Sequence, residues 1–161
     1  MLAPLWTSYI RPLLGRPARV QVAALCHQGR GADLRILLIT SRDTGRWVLP
    51  KGWPKRGHDA GGTALEEAWE EAGIKPAGRP VAVGHYHYDK RLDGGLPLPT
   101  RVEVFAIPVP ALLDDYPEKG QRRRVWMTPA EAAASVAEPE LAELLAAFPR
   151  RAAKLAAEAS R

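Results

Sequence analysis

Sulphur is scarce in this chain, with one cysteine, Cys26, and two methionines among 161 residues. A single cysteine excludes an intrachain disulfide framework. Its place in an apolar run suits a buried free thiol better than a nucleophile. Long apolar runs are also missing. None approaches the roughly 18 residues that a membrane-crossing helix needs, so no membrane partner is expected. The opening MLAPLWTSYIRPLLGRP has no basic start followed by an unbroken apolar stretch, because Pro4, Arg11 and Pro12 interrupt it. No secretory leader is therefore expected, and the cytoplasm is the expected compartment. The third shortage is of acids, and it is local. Residues 1–56 hold ten Lys and Arg against two acids, Asp33 and Asp43, and the first glutamate is Glu66. With a formal net charge of +5, that asymmetry suggests a polyanionic partner. Nucleic-acid surfaces usually add stacking aromatics or a reading helix. Neither is evident, so a small polyphosphate is the expected partner rather than nucleic acid.

What is present reads as one domain, long enough to bury a core without staples. Residues 1–17 form a Pro-rich lead-in that Trp6, Tyr9 and Leu13 would strap over the body. Alternation predicts strands over 19–27 and 34–40, paired as a hairpin about QGRGAD, and a brief strand over 46–49. Further strands are predicted over 81–88, 101–109 and 124–127, with loops over 89–100 and 110–123; long loops in compact domains are often functional. Thr128, Pro129 and Glu131 make a capping-box start to a helix. A second amphipathic helix follows over 138–148, and the tail 149–161 is helical in composition. The order of strands, helix, strands and helix suggests a mixed sheet between helices.

The informative stretch is GWPKRGHDAGGTALEEAWEEAGI, residues 52–74. At ~100° per residue, Glu66, Glu67, Glu70 and Glu71 share an arc of roughly 140°. Leu65, Ala68, Trp69 and Ala72 fill the other side, and Gly73 stands where a left-handed C-cap would end the helix. Thr63 and Glu66 have the spacing of a T-x-x-E cap. A run of acids is most often a solvated face. Yet like charges at i, i+4 are destabilising, and no lysine follows until Lys75. A bound cation is the second reading, and all-oxygen ligands favour Mg²⁺ or Mn²⁺.

The stretch resembles the Nudix box, G-x5-E-x7-R-E-U-x-E-E-x-G-U with U a bulky apolar residue. Gly52, Glu67, Glu70, Glu71, Gly73 and Ile74 stand at its positions, with Ala68 a smaller U. His58 replaces the first glutamate and Glu66 the arginine, which in the family brace the loop against the helix. A sign-reversed His58–Glu66 brace is the expectation here. The resemblance covers residues 18–148 and implies an α/β/α sandwich with a mixed β-sheet between helices. It also implies a metal-dependent hydrolase, with Mg²⁺ or Mn²⁺ held by Gly52, Glu67, Glu70 and Glu71. Glu70 would be the base that orients water, and Glu67 would share in the catalysis.

The flanks TSRDTGRWVLPKGWPKRG, GHYHYDKRL and PEKGQRRRVWMTPAEA resemble the branch of the family acting on diphosphoinositol and diadenosine polyphosphates. That likeness implies phosphate contacts from Arg42, Lys51, Arg101 and Arg122 or Arg124, with Arg19 at the rim. Each has a plainer alternative. Arg101 can pair with Glu103 on one strand face, and Arg46, Lys55 and Arg56 can be solvated loop charges. Glu118 is an alternative base. His85 and His87 have a spacing that zinc sites use, though packing accounts for it as well; Trp47 and Trp53 read as packing anchors. Two other functions stay open: an RNA 5′-pyrophosphohydrolase, and a non-catalytic polyphosphate-binding module. The chain is expected to be a monomer or a homodimer.

Overall fold

The computed structural model describes residues 19–91 and 95–161; the expected lead-in over 1–17 lies outside the described residues. The hairpin forms between β1 (Arg19–Gln28) and β2 (Arg35–Thr40), with His27 opposite Ile36. Its turn depends on Gly29. The backbone there has φ +76°, and a Cβ would lie 2.2 Å from the Asp33 carbonyl oxygen, so only glycine fits. Two very short strands follow, β3 (Trp47–Val48) on β2 and β4 (Lys51–Gly52) on β1. The second of these was not expected. Helix α1 spans Ala60–Ala72.

Strands β5 (Val81–Arg91) and β6 (Pro97–Pro108) pair antiparallel. They run far into the stretch read as a loop over 89–100, because cross-strand pairing carries Asp89, Lys90 and Arg91 opposite Pro99, Leu98 and Pro97. Strand β7 (Arg124–Met127) pairs with β2. Helix α2 (Pro129–Ser135) opens with the expected capping box. Helix α3 runs Pro139–Ala159, through Pro149. Leu141, Leu145 and Phe148 are buried and Ala152 and Leu155 partly so, a stripe at helical spacing that continues past the proline.

Among the described residues the sheet has the order β3-β2-β1-β6-β5. Only β1 and β6 are parallel, with Arg19 opposite Thr100 and His27 opposite Pro108, so the sheet is mixed. Period-2 alternation divides β1 between two cores. Val22, Ala24 and Cys26 join Ala64, Ala68 and Ala72 of α1. Ala23 and Leu25 join Ala132 of α2 and Leu141, Leu145 and Phe148 of α3. Helices therefore cover both faces, the expected α/β/α sandwich, and the alanine stripe lets α1 lie close to the sheet. Among the described residues no helix is long and apolar enough to cross a membrane.

Candidate functional site

Helix α1 is held at both ends. Asp59 caps its start, the side chain accepting the Gly62 N–H at 2.7 Å. Thr63, expected as the cap, instead lies buried in the first turns, where its hydroxyl accepts the Lys55 N–H at 3.3 Å and ties the preceding loop to the helix. Gly73 closes the helix at φ 67°, ψ 44°, as expected.

The buried face differs from the expected one. Trp69 is 41% exposed, whereas Glu67 and Glu71 are 7% and 8% exposed. The acids are therefore not one solvated sheet of charge: two turn inward, beside the loop of β4. Gly52 sits against the first of them. A Cβ at Gly52 would lie 2.3 Å from Glu67 Oε1, so a bare backbone is what allows the carboxylate in. The Lys51 N–H donates to Glu71 Oε2 at 3.1 Å.

Glu67, Glu70 and Glu71 each have a cation from elsewhere in the chain. Lys55 Nζ lies 3.1 Å from Glu67 Oε1 and 2.8 Å from Glu70 Oε2. Those two carboxylates hold the ammonium pKa above its ordinary value although burial alone would lower it. The Arg122 side chain is 9% exposed, with Nη2 3.2 Å from Glu71 Oε1 and 3.4 Å from Glu118 Oε1, and its Nη1 donates to the Thr40 carbonyl. Burial pushes the Glu71 carboxyl up to about 7; Arg122 opposes this and the charge of Glu67 adds to it. The loop over 110–123 docks on the helix through the Glu118 N–H to the Glu70 carbonyl, 3.0 Å.

The sign-reversed brace does not form. Among the described residues no ion pair joins His58 to Glu66, and the His58 ring lies beside Gly62. Lys55 braces the loop instead, through its backbone to Thr63 and its side chain to Glu67 and Glu70. Sequence reasoning left Lys55 as a loop charge, since a separation of twelve residues from Glu67 carries no periodic signal.

Of the expected phosphate ligands, Arg42 and Arg122 meet at Glu118, and the others do not join them. Arg42, at the mouth of the docked loop, has Nη1 3.3 Å from Glu118 Oε1 and 3.0 Å from Gln121 Oε1, with its side chain 57% exposed. Arg124 donates to the Ala72 carbonyl at 2.9 Å and lies 4.8 Å over the Tyr116 ring; it caps the C-terminus of α1. Arg101 and Glu103 do pair, at 2.8 Å, without the alignment of a hydrogen bond, and alternation puts them on the α1 side of β6. Lys51 lies opposite Ala23, so its side chain takes the other face, 5.5 Å over the Tyr88 ring. Burial lowers its pKa. Arg19 shares that far face with Ala23 by alternation. Away from the site, His87 pairs with Glu140 at 3.0 Å, and the His85 and His87 rings meet edge to face, so packing accounts for the pair.

The donor set suits a hard divalent ion: three carboxylates in the second half of one helix, and a glycine backbone pressed against the first of them, Glu67. Among the described residues no three acid, histidine or cysteine side chains already converge on one ion position. Glu67 and Glu70 are turned to Lys55, and Glu71 is turned to Arg122.

A carboxylate helix lying against a glycine loop, on a mixed sheet between helices, defines a class of domain. Residues 17–148 match the NUDIX domain, and the chain belongs to that family. Human diphosphoinositol polyphosphate phosphohydrolase 3-beta is 30% identical over 109 residues, which cover 66% of this chain and 62% of that protein. Mouse diphosphoinositol polyphosphate phosphohydrolase 2 is 28% identical over 109 residues, 66% of this chain and 56% of that one. The chain thus spans about three fifths of the length of these curated relatives. Among solved structures, the C. elegans Ap4A hydrolase has a TM-score of 0.58 at 20% identity, covering 82% of this chain and 96% of that one. A NUDIX hydrolase from Nitrosomonas europaea has a TM-score of 0.61 at 20% identity, covering 82% and 88%. At these identities the likeness is one of fold.

Proposed function

We propose that this chain hydrolyses a phosphoanhydride bond in a highly phosphorylated small molecule, a diadenosine polyphosphate or a diphosphoinositol polyphosphate. The reading rests on one observation above the rest: Glu67, Glu70 and Glu71 gathered at the Gly52 loop, two of them buried and all three balanced by cations. Gly52, Glu67, Glu70 and Glu71 would hold Mg²⁺ or Mn²⁺. Such an ion, when bound, polarises phosphoryl oxygens and lowers the pKa of a coordinated water.

The protein's own groups divide the remaining work. Glu70 is the most open of the three acids, its side chain 31% exposed, and its main chain is fixed by the Glu118 N–H. That exposure supports Glu70 as the acid that would orient an attacking water. Arg122 positions Glu71 rather than meeting substrate, because its guanidinium is buried between Glu71 and Glu118. Arg42, half-exposed beside Glu118, is the guanidinium best able to turn outward to a phosphate, which it binds bidentately.

The test is a panel of diadenosine hexaphosphate, an inositol pyrophosphate, ADP-ribose, NADH and 5′-triphosphate RNA, incubated with Mg²⁺ or Mn²⁺ and resolved by anion exchange. Cleavage confined to the first two supports the reading. Cleavage of RNA or ADP-ribose alone overturns the substrate class, and no cleavage of any overturns hydrolysis in favour of a binding module. Glu70→Gln is expected to lower turnover by about 10²–10⁴-fold while ligand binding persists.

A further inference from the structure

The carboxylates proposed as cation ligands are not waiting bare. Lys55 Nζ bridges Glu67 Oε1 at 3.1 Å and Glu70 Oε2 at 2.8 Å. The backbone of Lys55 is tethered to the helix by Thr63, so the ammonium is delivered there by a fixed anchor and a flexible four-carbon stem. A Mg²⁺ ion held by these two acids would take carboxylate oxygens at about 2.0–2.1 Å. An ammonium at hydrogen-bond distance from both oxygens and a metal ion bonded to them cannot share the space. The ammonium carries one charge and points its donors at two acids; a divalent ion carries twice the charge and takes oxygens directly.

We propose that Lys55 is a built-in counter-ion of the cation site: its ammonium bridges Glu67 and Glu70 while no divalent ion is bound, leaves them when one enters, and so sets the divalent concentration at which the site fills. The inference rests on the reading of the three glutamates as a cation site, and it adds a competitor that belongs to the chain itself.

The test uses the full chain without substrate and reads free Mn²⁺ by electron paramagnetic resonance. Removing the competitor in Lys55→Met should tighten Mn²⁺ binding by about tenfold, which corresponds to about 1.4 kcal/mol. Arg56→Met removes the same charge one residue along. Arg56 is exposed and has no ion pair among the described residues, so its loss should change affinity by no more than about twofold. Unchanged or weaker binding in Lys55→Met overturns the proposal, as does equal tightening in both variants, which would be the effect of net charge.

A second measurement needs no variant. Acylation by an N-hydroxysuccinimide ester, quantified by mass spectrometry, should rise severalfold at Lys55 when Mn²⁺ is added, while exposed Lys75 stays constant. No change at Lys55 overturns the proposal even if Lys55→Met fails to fold. Neither measurement depends on turnover. A chain that shows both effects and cleaves nothing keeps this inference and loses the proposed hydrolysis; a chain that cleaves polyphosphate without them loses only the inference.

Discussion

Glu71 makes the metal-free protein less stable as pH rises toward neutrality, and the size of the effect follows from its surroundings. Burial pushes its carboxyl from 4.5 up to about 7, with 8% of the residue exposed. Between those two values the folded chain keeps a proton that the unfolded chain has released. The stabilisation from that proton is complete below pH 4.5 and is lost as pH rises through 7. A gap of about 2.5 pH units at about 1.36 kcal/mol each comes to about 3 kcal/mol. Most of that falls between pH 5 and 8. Urea unfolding in EDTA at several pH values in this range measures it. The wild-type chain should lose about 2–3 kcal/mol relative to Glu71→Gln over this interval. The slope is the proper readout, because glutamine cannot titrate, and any change it makes to the Arg122 contact shifts stability without adding a proton of its own. Equal pH slopes in the two proteins would refute the reasoning. So would a wild-type chain that gains stability relative to the variant as pH rises. The same proton competes with a metal ligand, so apparent Mn²⁺ affinity should fall by up to about tenfold for each pH unit below 7.

Three further outcomes are expected. Gly52→Ala sets a Cβ 2.3 Å from Glu67 Oε1; because the clash is with the end of a flexible side chain, the fold should survive with stability changed by less than about 1 kcal/mol, while Mn²⁺ affinity measured by titration falls at least about tenfold. Asp59→Ala removes the N-cap bond to Gly62 and should cost about 1 kcal/mol in urea unfolding, which Asp59→Asn should largely restore. Cys26 is fully buried and its thiol is pushed up to about 12. Ellman's reagent should therefore leave it unmodified in the native protein and label it stoichiometrically once the chain is unfolded.

The parts of the fold legible in the sequence are those set by local pattern. The hairpin of β1 and β2, the capping box of Thr128 and Glu131, and the Gly73 terminus each depend on residues within a few positions of one another. The misreadings share a cause. Asp89, Lys90 and Arg91 are polar and lie next to a Gly- and Pro-rich turn, yet they are in a strand because β6 supplies their partners. Thr63 fits the spacing of a cap, but Asp59 starts the helix a turn earlier and leaves Thr63 to hold the loop. The 3.6-residue pattern extends over five positions of α3 and outweighs the single bond that Pro149 removes.

The site divides along the same line. Spacing on one helix grouped Glu66, Glu67, Glu70 and Glu71, since i, i+3 and i, i+4 neighbours are fixed by helix geometry, and the family resemblance singled out the last three. Spacing misjudged which way they face, because an arc of charge is counted as exposed unless something inside balances it. The balance comes from Lys55 and Arg122, twelve or more residues from the helix acids they meet, with Arg42 closing on Glu118. Four carboxylates are thus met by three cations drawn from three loops. Buried carboxylates at 7% and 8% exposure would be costly without them. The absence of lysine at i+4 on α1 therefore does not mark unneutralised charge. It marks charge neutralised from a distance, by groups on loops that the spacing of the helix does not reveal.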